Sequence, residues 1–298
     1  MSAMTPAKLR SAGPRFALYA LMLLLALIFI FPFLFMLTAS FRTNEDIFAH
    51  AGSASAFVPT GKLTLANYVY VFGRGNILHF FLNSVLITTL TVGTGLIVNS
   101  LAAFGLARLE WKGRQAAVGL VVILLVIPFE AISVPLMLLV ANLPGVGLDA
   151  GRLILTQSWL NTIYVQILPF VANAFSIYLF YQFFRGIPKD FDEAAYVDGA
   201  TPLQVYRHVI VPSSKPVFAT VSIIQGLTMW NQYLWPVITV PGEAARPLMV
   251  GMQQFFGQTT QWGAVMAYAT LITIPVLAAF MVFQRWFVRS VIGSSVKG

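Results

Sequence analysis

Long apolar runs separated by short polar stretches dominate the pattern of this chain of 298 residues. A helix that crosses a bilayer needs about 20 consecutive, mostly apolar residues. Runs of this kind predict six transmembrane helices, near residues 16–38, 80–105, 116–140, 161–184, 216–238 and 264–288. The third run contains Glu130 and two prolines, and the fourth is comparatively polar. The pattern predicts an all-α, polytopic membrane protein with six transmembrane helices.

Composition supports a location in a bilayer. Hydrophobic residues make up 58% of the chain, charged residues only 9%, and the mean hydropathy is +0.80. A soluble domain carries roughly 25% charged residues. The first apolar run, "LYALMLLLALIFIFPFLFML", is longer than the roughly 7 to 15 residues usual in the apolar part of a secretory signal. We therefore interpret it as a retained membrane anchor.

Lysine and arginine residues divide unevenly between the alternate connections of the six predicted helices. Because basic residues concentrate on the cytoplasmic side of a membrane, the richer set predicts a cytoplasmic location for both termini. That set consists of Lys8, Arg10, Arg15, Arg108, Lys112, Arg114, Arg185, Lys189, Arg207, Lys215, Arg285, Arg289 and Lys297; the other holds Arg42, Lys62, Arg74, Arg152 and Arg246. The net charge of +8 follows from the same bias and does not indicate a nucleic-acid-binding protein.

Reactive and metal-binding groups are scarce. The chain has no cysteine, which excludes disulfides, a thiol nucleophile and a thiolate metal site. The histidines His50, His79 and His208 fall in different loops, so they do not form a metal site or a catalytic triad. An integral-membrane enzyme would need such a constellation. We therefore predict no catalytic and no metal-binding residues.

The longest predicted cytoplasmic connection, residues 185–215, is unusually rich in helix signals. Acidic residues after Pro188 are typical of a helix N-terminus, and Gly199 is placed to end that helix in a left-handed conformation. Thr201 and Pro202 then predict the start of a second helix, which runs to Pro212. Two short helices with small residues on one face are the shape of a docking surface, although a solvated connector has the same composition.

The 185–215 loop also carries a family motif. The pattern of Glu, two alanines, a glycine four residues later and a proline thirteen residues after the glycine resembles the EAA loop of the membrane subunits of bacterial ABC importers. Its matching positions here are Glu193, Ala194, Ala195, Gly199, Val209, Val211 and Pro212. The two valines replace the usual isoleucine and leucine. The sequence Asp198, Gly199 and Ala200, together with "WNQYLWP", "LNS" and a tail from "QRWFV" to "SVKG", is similar to the carbohydrate-uptake branch, and most of all to the smaller membrane subunit of the maltose transporter.

The resemblance implies a division of labour among subunits. Residues 1–298 would form one transmembrane permease domain in the plasma (inner) membrane of a bacterium, beside a second and different permease subunit. The 185–215 loop would dock on one of two cytoplasmic ATPase subunits through Glu193, Ala194, Ala195, Asp198, Gly199, Ala200 and Pro212. An extracellular binding protein would deliver a sugar or a similar solute. ATP and magnesium would bind to the ATPase subunits, since this chain has no phosphate-binding loop of the G-x-x-x-x-G-K-[ST] type.

Two groups of polar residues are candidates for the translocation path. Ionisable groups at membrane depth are costly and often functional, which singles out Glu130 between Pro128 and Pro135. Aromatic rings and amides suit sugar rings and hydroxyls, which singles out Trp230, Asn231, Gln232, Tyr233 and Trp235. Glu130 is equally suited to pairing with the second subunit, and Trp and Tyr also anchor helices at the membrane interface.

The predicted external loop at residues 240–262 is a candidate contact for the binding protein. Its mix of Gly, Gln and Met suits a flexible probe, although an ordinary interfacial loop has a similar composition, and the resemblance points to Gln253, Gln254 and Gly257. A stand-alone secondary transporter or channel is the alternative, but it predicts internal repeats or several ionisable residues in the spans. Glycerol-3-phosphate or a related polyol phosphate is the alternative solute, although phosphate favours Arg or Lys in the cavity and no span interior supplies one.

Overall fold

The computed structural model describes residues 12–50, 52–58, 62–74, 76–149, 152–257 and 260–295, which are mostly helical. The chain forms two compact units. The first unit comprises the described residues up to 76 and those between 252 and 275, and the second comprises residues 77–251 and those from 276 onwards. The N-terminal basic residues Lys8 and Arg10 and the final "VKG" lie outside the described residues.

The first unit contains the first apolar helix and short helices that follow it. Its elements are α1 (Ala12–Ala39), α2 (Asn44–His50), a 3-10 turn (Ala54–Phe57), α3 (Ala66–Arg74), a second 3-10 turn (Met252–Phe255) and the beginning of α15 (Trp262–Ser295). Arg42, only 2% exposed, donates from Nη2 to the carbonyl oxygens of Ser55 and Val58, both at 2.6 Å. The guanidinium group therefore fixes the path of the chain after α1.

The second unit contains the remaining helices and a β-hairpin. Its elements are α4 (Ile77–Ala107), α5 (Arg114–Val126), α6 (Phe129–Ala141), β1 (Gly145–Asp149), β2 (Arg152–Thr156), a 3-10 turn (Tyr164–Gln166), α7 (Leu168–Val171), α8 (Ala174–Arg185), α9 (Asp190–Val197), α10 (Pro202–Val205), a π-helical segment (Tyr206–Ile210), α11 (Val211–Ser213), α12 (Lys215–Trp230), α13 (Leu234–Thr239) and α14 (Leu248–Gly251). The core includes Phe180, Phe184, Val205 and Ile210, which join α8 to the segments after α9.

Four helical stretches among the described residues are long and apolar enough to cross a bilayer, and the bent pair α5–α6 brings the number to five if it counts as one span. The four are residues 16–39, 77–107, 164–185 and 262–281, close to the first, second, fourth and sixth predicted spans. Their exposed surfaces are apolar over most of their length. The chain is therefore a polytopic membrane protein.

The third, fourth and fifth predicted spans are interrupted, the fourth at residues 172–173 between α7 and α8. The axes of α5 and α6 differ by 103° across the break at residues 127–128. Residues 231–233 separate α12 from α13. Pro128 and Pro236 lack the N–H that would continue each helix from the preceding turn. A search for runs of about 20 mostly apolar residues does not detect such a break.

The β-hairpin departs from the all-helical prediction. β1 and β2 are antiparallel, with Gly145 opposite Thr156 and Asp149 opposite Arg152. None of the six predicted helices includes this segment. Branched residues of β2, such as Ile154 and Thr156, favour an extended conformation.

Candidate functional site

The first helix of the 185–215 loop, α9, ends in a left-handed glycine as predicted. Gly199 has φ +81°. Its N–H donates to the Tyr196 carbonyl at 3.0 Å, and the Ala200 N–H donates to the Ala195 carbonyl at 2.9 Å. This is the hydrogen-bond pattern of a Schellman motif. The motif satisfies the last carbonyls of α9 and turns the chain sharply into the second helix.

The second helix starts at Pro202, also as predicted. The Gln204 Oε1 atom accepts hydrogen bonds from the Thr201 N–H at 2.7 Å and from the Thr201 hydroxyl at 2.9 Å. The helical path then passes through the π-helical segment Tyr206–Ile210 and ends at Ser213, one residue beyond the predicted end at Pro212. Pro212, the second residue of α11, has no N–H to donate to the preceding turn.

The residues of the EAA motif are accessible where α9 turns into α10. Glu193, Ala194, Asp198 and Gly199 are exposed, as is Pro212, while Ala195 and Ala200 are half-buried. An open groove of about 250 Å³ lies at this turn and is lined by Ala195, Asp198, Gly199, Ala200, Gln204, His208 and Val209. Large apolar side chains border the motif, including Val197 at 88% exposure and Leu203 at 65%. Small side chains at the groove leave room for a protruding group of another protein.

Beneath the exposed motif lies an ion pair that the sequence does not reveal. Arg108 Nη1 is 3.3 Å from Asp192 Oδ2, with 3% and 10% of the two side chains exposed. Arg108 Nη2 also donates to the Ile187 carbonyl at 2.8 Å. Burial raises the pKa of Asp192, and the nearby charge of Arg108 opposes that rise only in part. In the sequence both residues are typical loop charges, and they lie 84 positions apart.

The polar groups predicted for the translocation path lie at helix breaks. Glu130 is an exposed residue in the first turn of α6. Asn231 and Tyr233 are exposed and Gln232 is half-buried in the break after α12. The half-buried Trp230 packs edge-to-face against Phe81, with ring centroids 5.9 Å apart.

An aromatic cluster lies beside three helix breaks that the six predicted spans do not include. The Trp235 ring lies 5.8 Å from Phe129 and 5.9 Å from Phe170, measured between ring centroids. These residues stand beside the breaks at 231–233, 127–128 and 172–173 respectively. Trp235 is fully buried and donates from Nε1 to the Val165 carbonyl at 2.9 Å. Trp235 is therefore a core residue, unlike the neighbouring polar residues with which the sequence groups it.

Buried amides satisfy the backbone at the third break. Asn99 donates from Nδ2 to the Val171 carbonyl at 3.0 Å, and its Oδ1 accepts from the Asn173 N–H at 2.9 Å. Gln225 donates to the Phe170 carbonyl at 3.1 Å. An interrupted helix at membrane depth needs partners of this kind, because lipid supplies none. Sequence reasoning missed Asn99 and Gln225, although isolated amides in apolar runs are the signal that could have found them.

Residues 240–251, the first part of the predicted external loop, are held by hydrogen bonds from buried side chains. Asn83 donates to the carbonyls of Ala244 and Arg246, both at 3.0 Å. The Ser84 hydroxyl accepts from the Leu248 N–H at 2.8 Å. These hydrogen bonds join this part of the loop to distant residues, which the composition does not show, and the flexibility of the loop stays a prediction.

Residues 252–257 belong to the first unit and expose the three predicted contact residues. Gln253, Gln254 and Gly257 are exposed. Phe255 is buried between them and lies 5.2 Å from the Tyr268 ring, measured between centroids. The buried ring holds the turn while the amides face outwards.

Each histidine has a ring nitrogen within hydrogen-bond distance of a backbone carbonyl oxygen. The His79 Nε2 atom lies 2.8 Å from the Ala244 carbonyl oxygen, and the His208 Nδ1 atom lies 3.1 Å from the Gln204 carbonyl oxygen. No group of three metal-ligating side chains occurs among the residues that the structure describes.

Known proteins are similar to this chain in both sequence and fold. The family model of the "Binding-protein-dependent transport system inner membrane component" matches residues 92–293. The arabinooligosaccharides transport system permease protein AraQ of Halalkalibacterium halodurans is 30% identical over 92% of this chain and 93% of its own length. The trehalose/maltose transport system permease protein MalG of Thermococcus litoralis is 30% identical over 93% and 94%.

A solved structure shows the same fold. A chain of a bacterial ABC transporter involved in the import of the acidic polysaccharide alginate has a TM-score of 0.75, with 21% identity, over 96% of this chain and all of that one. The resemblance noted in the sequence is confirmed. The chain belongs to the family of binding-protein-dependent transport system inner membrane components.

Proposed function

We propose that this chain is a permease subunit of an ATP-driven importer for a sugar or a sugar-like solute in the inner membrane of a bacterium. In this proposal the chain crosses the membrane six times, with α5–α6 and α12–α13 as interrupted spans and both termini in the cytoplasm. The relatives AraQ and MalG are permeases of arabinooligosaccharide and of trehalose and maltose transport systems. The observation that carries the proposal is the exposed EAA motif, presented on a turn that is capped on both sides.

The 185–215 loop is proposed to dock on an ATPase subunit. The side chains of Ala194 and Ala195 and the bare backbone of Gly199 allow a close approach, while Glu193 offers a carboxylate to a basic group of the partner. Exposed apolar residues around the groove supply area that docking would bury. ATP and magnesium bind to the two ATPase subunits of the assembly, and the energy reaches this chain through the loop.

The solute is proposed to pass between this chain and a second permease subunit. The groups at or beside the helix breaks, Glu130 and Trp230 with Asn231, Gln232 and Tyr233, would face that path. Broken helices at membrane depth are found where backbone is buried in protein or lines a cavity. Carboxylate, amide and aromatic groups together suit a neutral, hydroxyl-rich solute.

An external binding protein is proposed to deliver the solute. The exposed residues Gln253, Gln254 and Gly257 would contact it, with Phe255 as the buried anchor of the turn. We favour a neutral sugar over glycerol-3-phosphate or another polyol phosphate, since the proposed path residues of this chain include no Arg or Lys. Transport of a polyol phosphate would require the second subunit to supply that charge.

Charge reversal at Glu193 tests the docking. Glu193→Lys places a like charge against the basic group of the partner, so we expect uptake to fall about tenfold or more, a loss of about 1.4 kcal/mol of docking free energy. The measurement is uptake by membrane vesicles, together with the amount of ATPase that copurifies with a tagged chain. Asp190→Lys is the matched control, because Asp190 is also exposed in the first turn of α9.

Uptake by the variant and by the purified wild-type chain separates an importer from a stand-alone transporter. Undiminished uptake and ATPase recovery in Glu193→Lys would contradict docking through the EAA motif. Purified wild-type chain that transports solute into liposomes without an ATPase would instead establish a secondary transporter or channel. A search of the copurified proteins by mass spectrometry identifies the second permease and the binding protein.

A further inference from the structure

The 185–215 loop is joined to the end of α4 by the buried ion pair between Asp192 and Arg108. Arg108 follows the last residue of α4 and Asp192 lies in the first turn of α9. Because Arg108 also binds the Ile187 carbonyl, its planar guanidinium group holds both α9 and the chain that enters it. A planar guanidinium group that binds two partners fixes their orientation relative to α4 as well as their distance from it.

A second contact joins α4 to the other half of the loop. The Tyr206 and Ser100 hydroxyl oxygens are 2.7 Å apart, and the Tyr206 ring lies 5.3 Å from Phe104, measured between centroids. Ser100 is fully buried. Ser100 and Arg108 are eight positions apart in the sequence, about 12 Å along a helix. The two halves of the loop therefore hold the same end of α4 at separate points.

Stability alone is a poor account of the ion pair. Burial of two charges carries a desolvation cost that an apolar pair of similar volume avoids. The raised pKa of Asp192 is in keeping with that cost. What the pair supplies, and an apolar contact lacks, is a fixed orientation between two elements.

We propose that Arg108 and Asp192, supported by Ser100 and Tyr206, form the joint through which movement of the 185–215 loop is transmitted to α4. The proposal rests on the proposed docking of this loop on an ATPase. Arg108 and Asp192 act as positioning residues. When the ATPase tilts α9, the ion pair moves the end of α4. The contact of Tyr206 with Ser100 makes the second half of the loop move together with α4. Nucleotide-driven movement would thus reach the interior of the membrane through α4.

The test measures movement of α4 in the assembled complex. Because the chain has no cysteine, a single cysteine at Val98 of α4, 41% exposed, accepts an environment-sensitive bimane label. The complex is purified with its ATPase and supplied with its binding protein, and the emission change on addition of ATP and vanadate is recorded. The complex with the unsubstituted chain gives the background from other subunits.

We expect Asp192→Asn to reduce that emission change about fivefold or more, as expected for loss of coupling, while the ATPase remains bound and active. Asp190→Asn, on the exposed face of the same turn, should leave it unchanged, and Asp192→Glu should restore part of it. A purely structural role would lower the yield of the complex but not the change per complex. An emission change in Asp192→Asn as large as that with wild-type Asp192 refutes the proposed joint.

Tyr206→Phe provides the second variant if Asp192→Asn does not assemble. It removes one hydroxyl from the contact with Ser100 and keeps the ring, so a reduced emission change is expected and an unaltered one contradicts the proposal. A wild-type complex that retains the ATPase but shows no emission change also overturns the joint. Absence of any ATPase from the wild-type preparation refutes the proposed function instead.

Discussion

The 185–215 loop and the segment at 240–251 both connect apolar helices, yet different chemical groups hold them. The 185–215 loop is joined to α4 through side chains: an ion pair at Asp192 and a hydroxyl pair at Tyr206. The segment at 240–251 is joined to α4 through its backbone, by neutral groups. Asn83 and Ser84 bind the carbonyls of Ala244 and Arg246 and the N–H of Leu248.

The difference determines what each region leaves exposed. In the 185–215 loop local caps satisfy the backbone at the turn between α9 and α10, and the side chains of Glu193 and Ala194 face outwards. In the segment at 240–251 the backbone depends on distant residues, and Leu248 and Val250 are buried. A locally capped turn can change its surface residues without loss of its shape, whereas a segment held by distant amides cannot. We therefore expect substitutions in the first to affect docking and those in the second to affect folding.

Asn83→Leu should have the largest effect on stability. Leucine has the same number and branching of side-chain heavy atoms but leaves the Arg246 carbonyl without the donor seen in the structure, and an unsatisfied buried group costs about 1–3 kcal/mol. Since 1.4 kcal/mol corresponds to about tenfold in an equilibrium constant, hydrogen exchange at residues 242–250 should accelerate about 5- to 100-fold. Mass spectrometry of the exchanged peptides provides the measurement.

Asn142→Leu is the control for that substitution. Asn142 is exposed, and its Nδ2 donates only to the Leu138 carbonyl within the same helix, at 2.8 Å. Exchange at residues 242–250 should not change in this variant. Equal exchange in Asn83→Leu and wild type would show that the segment is not held by the amide and would remove the contrast between the two regions.

Gly199→Val should have an intermediate effect, confined to the 185–215 loop. Gly199 has φ +81° with no atom within 4 Å of an added Cβ, so the Cβ meets no clash and the backbone strain costs about 1–2 kcal/mol for an L-residue. We expect faster exchange at residues 195–204 and weaker recovery of the ATPase. Gly199→Asn should be milder, because asparagine adopts the left-handed conformation more readily.

Gly73→Ala is the control for Gly199→Val. It replaces a glycine that has no positive φ and so shows the effect of losing a glycine without backbone strain. Gly73 lies in α3, also with no atom within 4 Å of an added Cβ, and has no positive φ. Alanine there should stabilise the helix by about 0.5–1 kcal/mol. A neutral outcome for Gly199→Val, measured by exchange at residues 195–204, would mean that the turn does not require the left-handed conformation.

The same contrast explains what the sequence could predict. The caps at Gly199 and Thr201 depend on residues within one helical turn, so local signals identified both correctly. The ion pair between Arg108 and Asp192 and the amide contacts of Asn83 join residues far apart in the chain. Each partner alone is typical of a loop charge or of a polar residue in a helix, and pairing depends on the tertiary fold.

The helix breaks show a second limit. Apolar runs located the long helices because a straight span needs a fixed hydrophobic length. Pro128 and Pro236 are visible in the sequence, but prolines also occur within intact membrane helices such as α1, which contains Pro32. Whether a proline bends or ends a helix depends on neighbouring groups that satisfy the freed backbone. The side chains of Asn99 and Gln225 supply such groups at the break between α7 and α8.

Gln204→Ala should have the smallest effect and tests how local the first region is. The substitution removes the acceptor of the Thr201 N–H and hydroxyl, and loss of a helix cap typically costs about 0.5–1 kcal/mol at an exposed site. Since Val205 and Ile210 remain buried in the core, we expect fraying of α10 without displacement of α9. Exchange should rise about two- to fivefold at residues 201–205 and stay unchanged at residues 190–198. Faster exchange across both helices would show that the two caps stabilise the loop as one unit. It would contradict the view that local caps alone hold the turn that exposes the motif.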